Sequence, residues 1–243
     1  MNARLAHIWR HPIKGIGSEA CQSAELTPEG AVEGDRAWAL LNEAAEDTDA
    51  WQPRRNFIQV ASGPRLAAVT ARTMGDRIAL SHPDRPELVL DPATGGPELS
   101  AWLGDLWPGE RPGPARLVRG PRQGMTDVEF ASVSIGNLAS LRALSEAAGM
   151  EIDMRRFRIN LWLDGLEPWA ETDLLEREIT LGGARLSPVE PIGRCRAPDA
   201  NPETGERDVL MLKTLETHWN TRNFGVYFKV AAPGTIHVGD TLQ

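Results

Sequence analysis

Ile179-Thr180-Leu181-Gly182-Gly183-Ala184-Arg185-Leu186 is the stretch on which the fold class turns. Two short apolar runs flank a Gly-Gly pair, and glycine tolerates the positive φ that a two-residue hairpin turn needs. An antiparallel hairpin is therefore predicted over residues 179–186. Outward toward the N-terminus, Ile159 to Leu163 reads as a further strand. Residues 134–148 read as a helix, with Ser134 as N-cap, Leu138, Leu141 and Leu144 on one face, and Gly149 at the C-terminal cap. Toward the C-terminus, Thr235 to Val238 reads as a closing strand.

The first third is read the same way: Leu5 to Arg10, Ala37 to Leu41, Leu66 to Ala71, Ile78 to Leu80 and Leu88 to Leu90 are strand-like and separated by turn residues. Between Pro83 and Pro121 eight prolines and the Gly95-Gly96 pair break up regular structure and mark a connection. Inside it, Leu99, Trp102 and Leu103 have helical spacing and Gly104 supplies the stop, so one short helix is expected. The boundary falls near the end of this segment, giving modules over residues 1–121 and 122–243. The predicted class is a β-rich α+β protein without internal repeats.

With 243 residues, 41% hydrophobic and 25% charged, the chain can bury a sizeable core. No apolar run approaches the ~20 residues of a membrane-spanning helix, and the N-terminus shows no secretion signal, so no membrane association and a cytoplasmic location are expected. A net charge of -8 argues against nucleic acid or anionic lipid as a partner. Any anion site must be local. Lysine occurs only at positions 14, 213 and 229, so positive charge is carried almost entirely by arginine, which suits bidentate recognition of phosphate or carboxylate.

Cys195 lies in Pro191-Ile192-Gly193-Arg194-Cys195-Arg196-Ala197-Pro198-Asp199, after a strand and between two arginines. Neighbouring guanidinium groups favour a thiolate, which is a nucleophile and a soft metal ligand. The alternative is a small buried hydrophobe. The five scattered histidines and unpaired cysteines exclude zinc and iron–sulfur centres, while a Cys–His pair through the fold, for example with His218, stays open. Cys21 reads as a reduced structural residue. Three arginines in Asp153-Met154-Arg155-Arg156-Phe157-Arg158-Ile159-Asn160 could grip phosphate or form ion pairs with Glu151 and Asp153. Lys14-Gly15 allows a backbone to approach a ligand beside a cation, and Gly34-Asp35-Arg36 has a similar character or is a turn held by its own Asp–Arg contact. Trp51, Trp162, Trp169 and Trp219 read as core.

Taken in order, these segments resemble the MOSC family, named after the C-terminal domain of molybdenum cofactor sulfurase, in the branch of the mitochondrial amidoxime-reducing component and its bacterial relatives. His11-Pro12-Ile13-Lys14-Gly15, Leu26-Thr27-Pro28-Glu29-Gly30 and Gly34-Asp35-Arg36-Ala37-Trp38 resemble the N-terminal module. Arg155 to Asn160, Arg194-Cys195, Asn201 to Gly205, Phe224-Gly225-Val226-Tyr227 and Val238-Gly239-Asp240 resemble the second domain. The resemblance implies an N-terminal β-barrel module followed by a MOSC β-barrel domain with short helices. It implies a molybdenum cofactor, with Cys195 as the metal's protein ligand and Lys14, Gly15, Arg36, Ser134, Arg158, Asn160, Arg194 and Tyr227 around the pterin or its phosphate. Gly15, Gly193 and Ile159 depart from the family's frequent serine, serine and proline at those places.

The activity so implied is reduction of a small N-hydroxylated substrate with electrons from a separate donor protein, Asp153 and Asp199 being candidate proton sources. The other reading, from a different class, is a carrier holding a Cys195 persulfide or the cofactor in transit. A pyridoxal phosphate enzyme is not expected, since the matching fold is missing.

Overall fold

The computed structural model describes residues 3–46, 48 and 50–243. Its strands in the first half are β1 (Arg4–Arg10), β2 (Ile13–Lys14), β3 (Glu19–Cys21), β4 (Ser23–Thr27), β5 (Ala31–Val32), β6 (Trp38–Asn42), β7 (Thr70–Met74), β8 (Arg77–His82), β9 (Arg85–Leu90) and β10 (Pro114–Arg119). Those in the second half are β11 (Val133–Asn137), β12 (Leu161–Asp164), β13 (Ile179–Leu181), β14 (Ala184–Gly193), β15 (Asn223–Ala232) and β16 (Gly234–His237). The α-helices are α1 (Gly96–Leu103), α2 (Leu138–Ala148) and α3 (Met211–Trp219). The class is the expected β-rich α+β one, with 37% strand against 22% helix and a sheet curled into a half-barrel.

The main sheet has seven strands in the order β13-β14-β15-β11-β12-β1-β3. Strands β11 and β12 are parallel, and α2 lies in the crossover that a parallel pair requires. Strand β1 pairs antiparallel with β12 through Leu5↔Leu163 and Ile8↔Leu161, and β16 pairs with β4. The two halves of the chain are thus woven through shared sheets. Leu5, Ile8, Leu26, Ile135, Leu161, Leu163 and Phe228 fill the core between them. A second core gathers Ile13, Leu40, Leu66, Leu80 and Leu99, and a third Leu144, Phe157, Trp162 and Phe224. No helix among the described residues is long and apolar enough to cross a membrane.

The hairpin forms as expected, with Leu181↔Ala184 closing the turn and Gly182 at φ 54. Gly104 and Gly149 end α1 and α2 at φ 45 and 67. Two local expectations are corrected. Helix α2 begins at Leu138, not Ser134: Asn137 is the N-cap, its side chain accepting from the Ala139 amide at 2.9 Å, while Ser134 lies inside β11. Leu66 to Ala71 is not a strand, because Pro64 starts a 3-10 turn over Pro64–Ala68 and β7 begins only at Thr70. The prolines follow backbone logic. Pro86 and Pro114 sit on β9 and β10, which are edge strands, and Pro188 and Pro191 sit where β14 has lost its β13 partner and breaks register against β15. Those bulges steer the end of β14 out of the sheet, just before Cys195.

Because Leu5 is fully buried in the woven core, Leu5→Ala should cost about 3 kcal/mol in urea unfolding. Leu210→Ala, at 64% exposure, should change stability by less than about 0.5 kcal/mol. Equal effects would contradict the packing described.

Candidate functional site

A cavity of about 270 Å³ opens where the end of β14 meets the loop after β2, the 3-10 turn Met154–Phe157 and the segment that precedes β11. Lys14, Gly15, Arg36, Ser134, Arg158, Arg194, Cys195 and Tyr227 all line it. Sequence positions from 14 to 227 therefore converge on one wall. Register explains part of this: Ser134 pairs with Tyr227 across β11 and β15, and β14 ends opposite Asn223 at Gly193. Gly15 sits at φ 73, and a Cβ there would stand 2.7 Å from the Ile58 carbonyl, so only glycine allows this approach.

The cations are held unequally. Lys14 is buried and its ammonium reaches Asp127 Oδ1 at 2.5 Å, with the Phe57 ring 5.6 Å away. Arg36 pairs with Asp35 through Nη1, and its Nη2 donates to the Arg158 carbonyl at 2.8 Å. Arg158 donates only to backbone, at Gly17 O (3.1 Å) and Ile13 O (3.4 Å). Arg194 does the same, from Nε and Nη2 to Phe224 O (2.9 and 2.6 Å) and from Nη1 to Phe157 O (2.9 Å). Burial, and then the neighbouring Arg36, pulls Arg158 down to about 9. Burial pulls Arg194 down to about 10, against the opposing influence of Tyr227, Cys195 and Asp127. Both remain charged at neutral pH, but among the described residues no carboxylate in contact cancels either charge. A buried cation in that condition favours any anion that can reach it.

Cys195 is half-buried at this wall, and its Sγ accepts the Ala197 amide at 3.5 Å. It forms no disulfide with Cys21, which lies on β3 opposite Ile8 and packs against the main core.

Other residues singled out in the sequence lie elsewhere. Asn160 is fully buried behind the wall: its Oδ1 accepts from Ser134 Oγ at 2.7 Å and its Nδ2 donates to the Trp9 carbonyl at 3.2 Å, so it braces β11 against β1. Asp153 caps the Met154–Phe157 turn and pairs with Arg155. Asp199 accepts the Met211 amide that opens α3 at 3.0 Å. Neither carboxylate is part of the cavity lining, whereas Asp127 and Arg54 are. Asp127 is unmarked by any periodicity, since it follows a proline-rich connection and owes its place to Lys14, 113 residues away. His218 is exposed on α3 and takes no part in the wall. The tryptophans also divide. Trp162 is core as expected, but Trp169 and Trp219 are half-buried and border a separate cleft.

Behind Arg36, Asp35 accepts from His11 twice, from the backbone amide at 2.8 Å and from the ring Nδ1 at 3.2 Å. Burial, then Arg158 and Arg36, pushes the His11 imidazole down to about 3 against the pull of Asp35. An unfolded histidine binds its proton near 6.5. Between these values the unfolded chain holds a proton that the native state refuses, so stability falls as pH drops through that window. The decline in Tm from pH 6.5 to 4 should therefore be shallower in His11→Gln than in the wild type. Parallel profiles would show that His11 is not the source.

The mouse mitochondrial amidoxime-reducing component 1 is 24% identical over 98% of this chain and 81% of its own length. The human protein of the same name is 25% identical over 98% and 82%. The molybdenum cofactor sulfurase of Caenorhabditis elegans is 23% identical over 93% of this chain, which spans 33% of that longer protein. Among solved structures, the YUAD protein from Bacillus subtilis covers all of this chain and 94% of its own at a TM-score of 0.47 and 13% identity. The model of the MOSC N-terminal beta barrel domain matches residues 2–102 and that of the MOSC domain matches residues 122–243, so the chain belongs to the MOSC family.

Proposed function

We propose that this chain binds a molybdenum cofactor in the cavity beside Cys195 and works as an oxidoreductase on small N-hydroxylated compounds. The observation that carries the reading is the pairing of a half-buried thiol with two guanidinium groups, Arg158 and Arg194, whose charges no carboxylate in contact cancels. A phosphorylated pterin is an anion of the kind such a pocket favours. The donor set fits as well. Among the described residues there is no group of three His, Cys, Asp or Glu that could hold a metal, so Cys195 would act as a single soft ligand to a metal bringing its other ligands with it. When bound, the cofactor supplies two-electron chemistry and a place for the oxygen removed from the substrate.

The chain's own residues have separable duties in this reading. Cys195 anchors and electronically tunes the metal. Arg158 and Arg194 meet anionic groups with geometry already fixed by their bonds to carbonyls, so little order is lost on binding. Lys14 and Arg36 add charge, with Asp127 and Asp35 as their counter-ions. Gly15 keeps its edge of the cavity free of side chain, and the Ser134–Asn160 bond fixes the strand behind Tyr227. Electrons come from a separate protein. The names of the amidoxime-reducing relatives support the substrate class. Similarity to a molybdenum cofactor sulfurase over 93% of the chain supports a second reading, in which Cys195 carries sulfur as a persulfide.

Protein purified from a host that makes the cofactor should contain near-stoichiometric molybdenum and pterin, and Cys195→Ala should lower molybdenum at least about tenfold. The loaded protein should then reduce benzamidoxime with a chemical electron donor. Equal and negligible molybdenum in both proteins would overturn the cofactor reading and direct the next assay to persulfide on Cys195.

A further inference from the structure

Next to the Cys195 cavity, with which it shares Pro191, a cleft of about 300 Å³ is bordered by Trp169, Trp219 and Phe224, with Glu171 also in its lining. The Trp169 and Trp219 ring centroids are 4.5 Å apart at 49°, and Phe224 meets Trp169 edge-on at 5.8 Å and 89°. The rings form an open aromatic corner. Trp169 is held there against its backbone preference, at φ 70, in the left-handed region that bulky residues avoid. Its conformation is fixed from both sides: its amide donates to Ser140 Oγ at 2.7 Å, and its carbonyl accepts from Thr172 Oγ1 at 2.8 Å.

Ser140 passes this connection to Glu171, donating to Oε2 at 2.6 Å, and Asn137 Nδ2 donates to the same oxygen at 3.0 Å. Glu171 is fully buried, and its Oε1 has no hydrogen-bond partner among the described residues. Burial, and then the nearby Asp173, pushes its carboxyl up against the bonds from Ser140 and Asn137. A carboxylate placed so, behind an aromatic corner, lacks a positive charge. The cleft provides none: its remaining polar side chains, Thr172, Thr221 and Asn223, are neutral, and Arg222 between the last two is tied to Glu216.

We propose that this cleft binds a small N-methylated ammonium ion. Electron-rich ring faces attract such a cation, and its methyl groups pack on the apolar walls. A cation held there would favour the ionised form of the buried Glu171 carboxyl and gain its attraction in return. A neutral apolar ligand would satisfy the rings but leave Glu171 as it is.

Isothermal titration with choline chloride, at constant ionic strength, is compared with 3,3-dimethylbutan-1-ol, its uncharged isostere. Choline should bind at least about tenfold more tightly than the alcohol, the ratio expected of a cation–π contact of moderate strength. Trp219→Leu, at the accessible end of α3, should lose choline binding by a similar factor while keeping the wild-type circular dichroism and Tm. Glu171→Gln should bring the two ligands toward parity. If Glu171→Gln does not fold, the isostere ratio and Trp219→Leu decide the matter. Equal binding of alcohol and choline, undetectable choline binding, or wild-type choline affinity in Trp219→Leu would each overturn the proposal.

Discussion

Two guanidinium groups that bond to carbonyls instead of carboxylates set the terms for this molecule. Arg194 ties the strand at Phe224 to the turn at Phe157, and Arg158 ties that turn to the loop at Ile13 and Gly17. Each is a structural clamp whose positive charge remains available. Were the same donors directed at buried carboxylates, the cavity wall would be equally well fixed, but its field would be spent internally. Clamping through neutral acceptors produces rigidity and an electrostatic preference from a single side chain.

That arrangement explains why the surrounding backbone is unusual. Arg36 and Arg158 both adopt positive φ, at 51°, and β14 breaks register three times against β15 before it reaches Cys195. Each departure directs one group toward the cavity that a regular strand or turn would point elsewhere. The strained residues are secured by neighbours, since the Arg36 amide donates to the His11 carbonyl at 2.7 Å and its guanidinium pairs with Asp35. Strain of this kind persists only where the surroundings over-determine it.

The legible parts of the sequence are those where local backbone demand selects a residue type. Gly182, Gly104 and Gly149 mark turns and helix ends because few other residues tolerate their φ, and Arg194-Cys195 announces unusual chemistry by juxtaposition. The illegible parts depend on distant partners. Ser134 and Asn137 are both good caps, and only the strands on either side of β11 make the first a buried strand residue bonded to Asn160. Asn160 itself matches the resemblance yet sits behind the wall. Asp127 lies in a segment with no pattern, and Leu66 resembles a strand residue until Pro64 bends the chain ahead of it. Trp169 and Trp219 have the composition of core, yet both stay half-buried beside a cleft, which no local pattern announces.

The weaving of β1 into the central sheet has a consequence for how the chain assembles. Trp9 and Asn160, which meet in the native state, are separated by 151 residues, and β16 returns from the far end to β4. Loop closure over such distances is entropically slow, and topologies dominated by remote contacts fold slowly. During synthesis β1 therefore leaves the ribosome with β3 close behind it but long before β12, its partner on the other side, exists. The edge of β1 that faces β12 must stay unpaired, or be shielded, until β12 emerges.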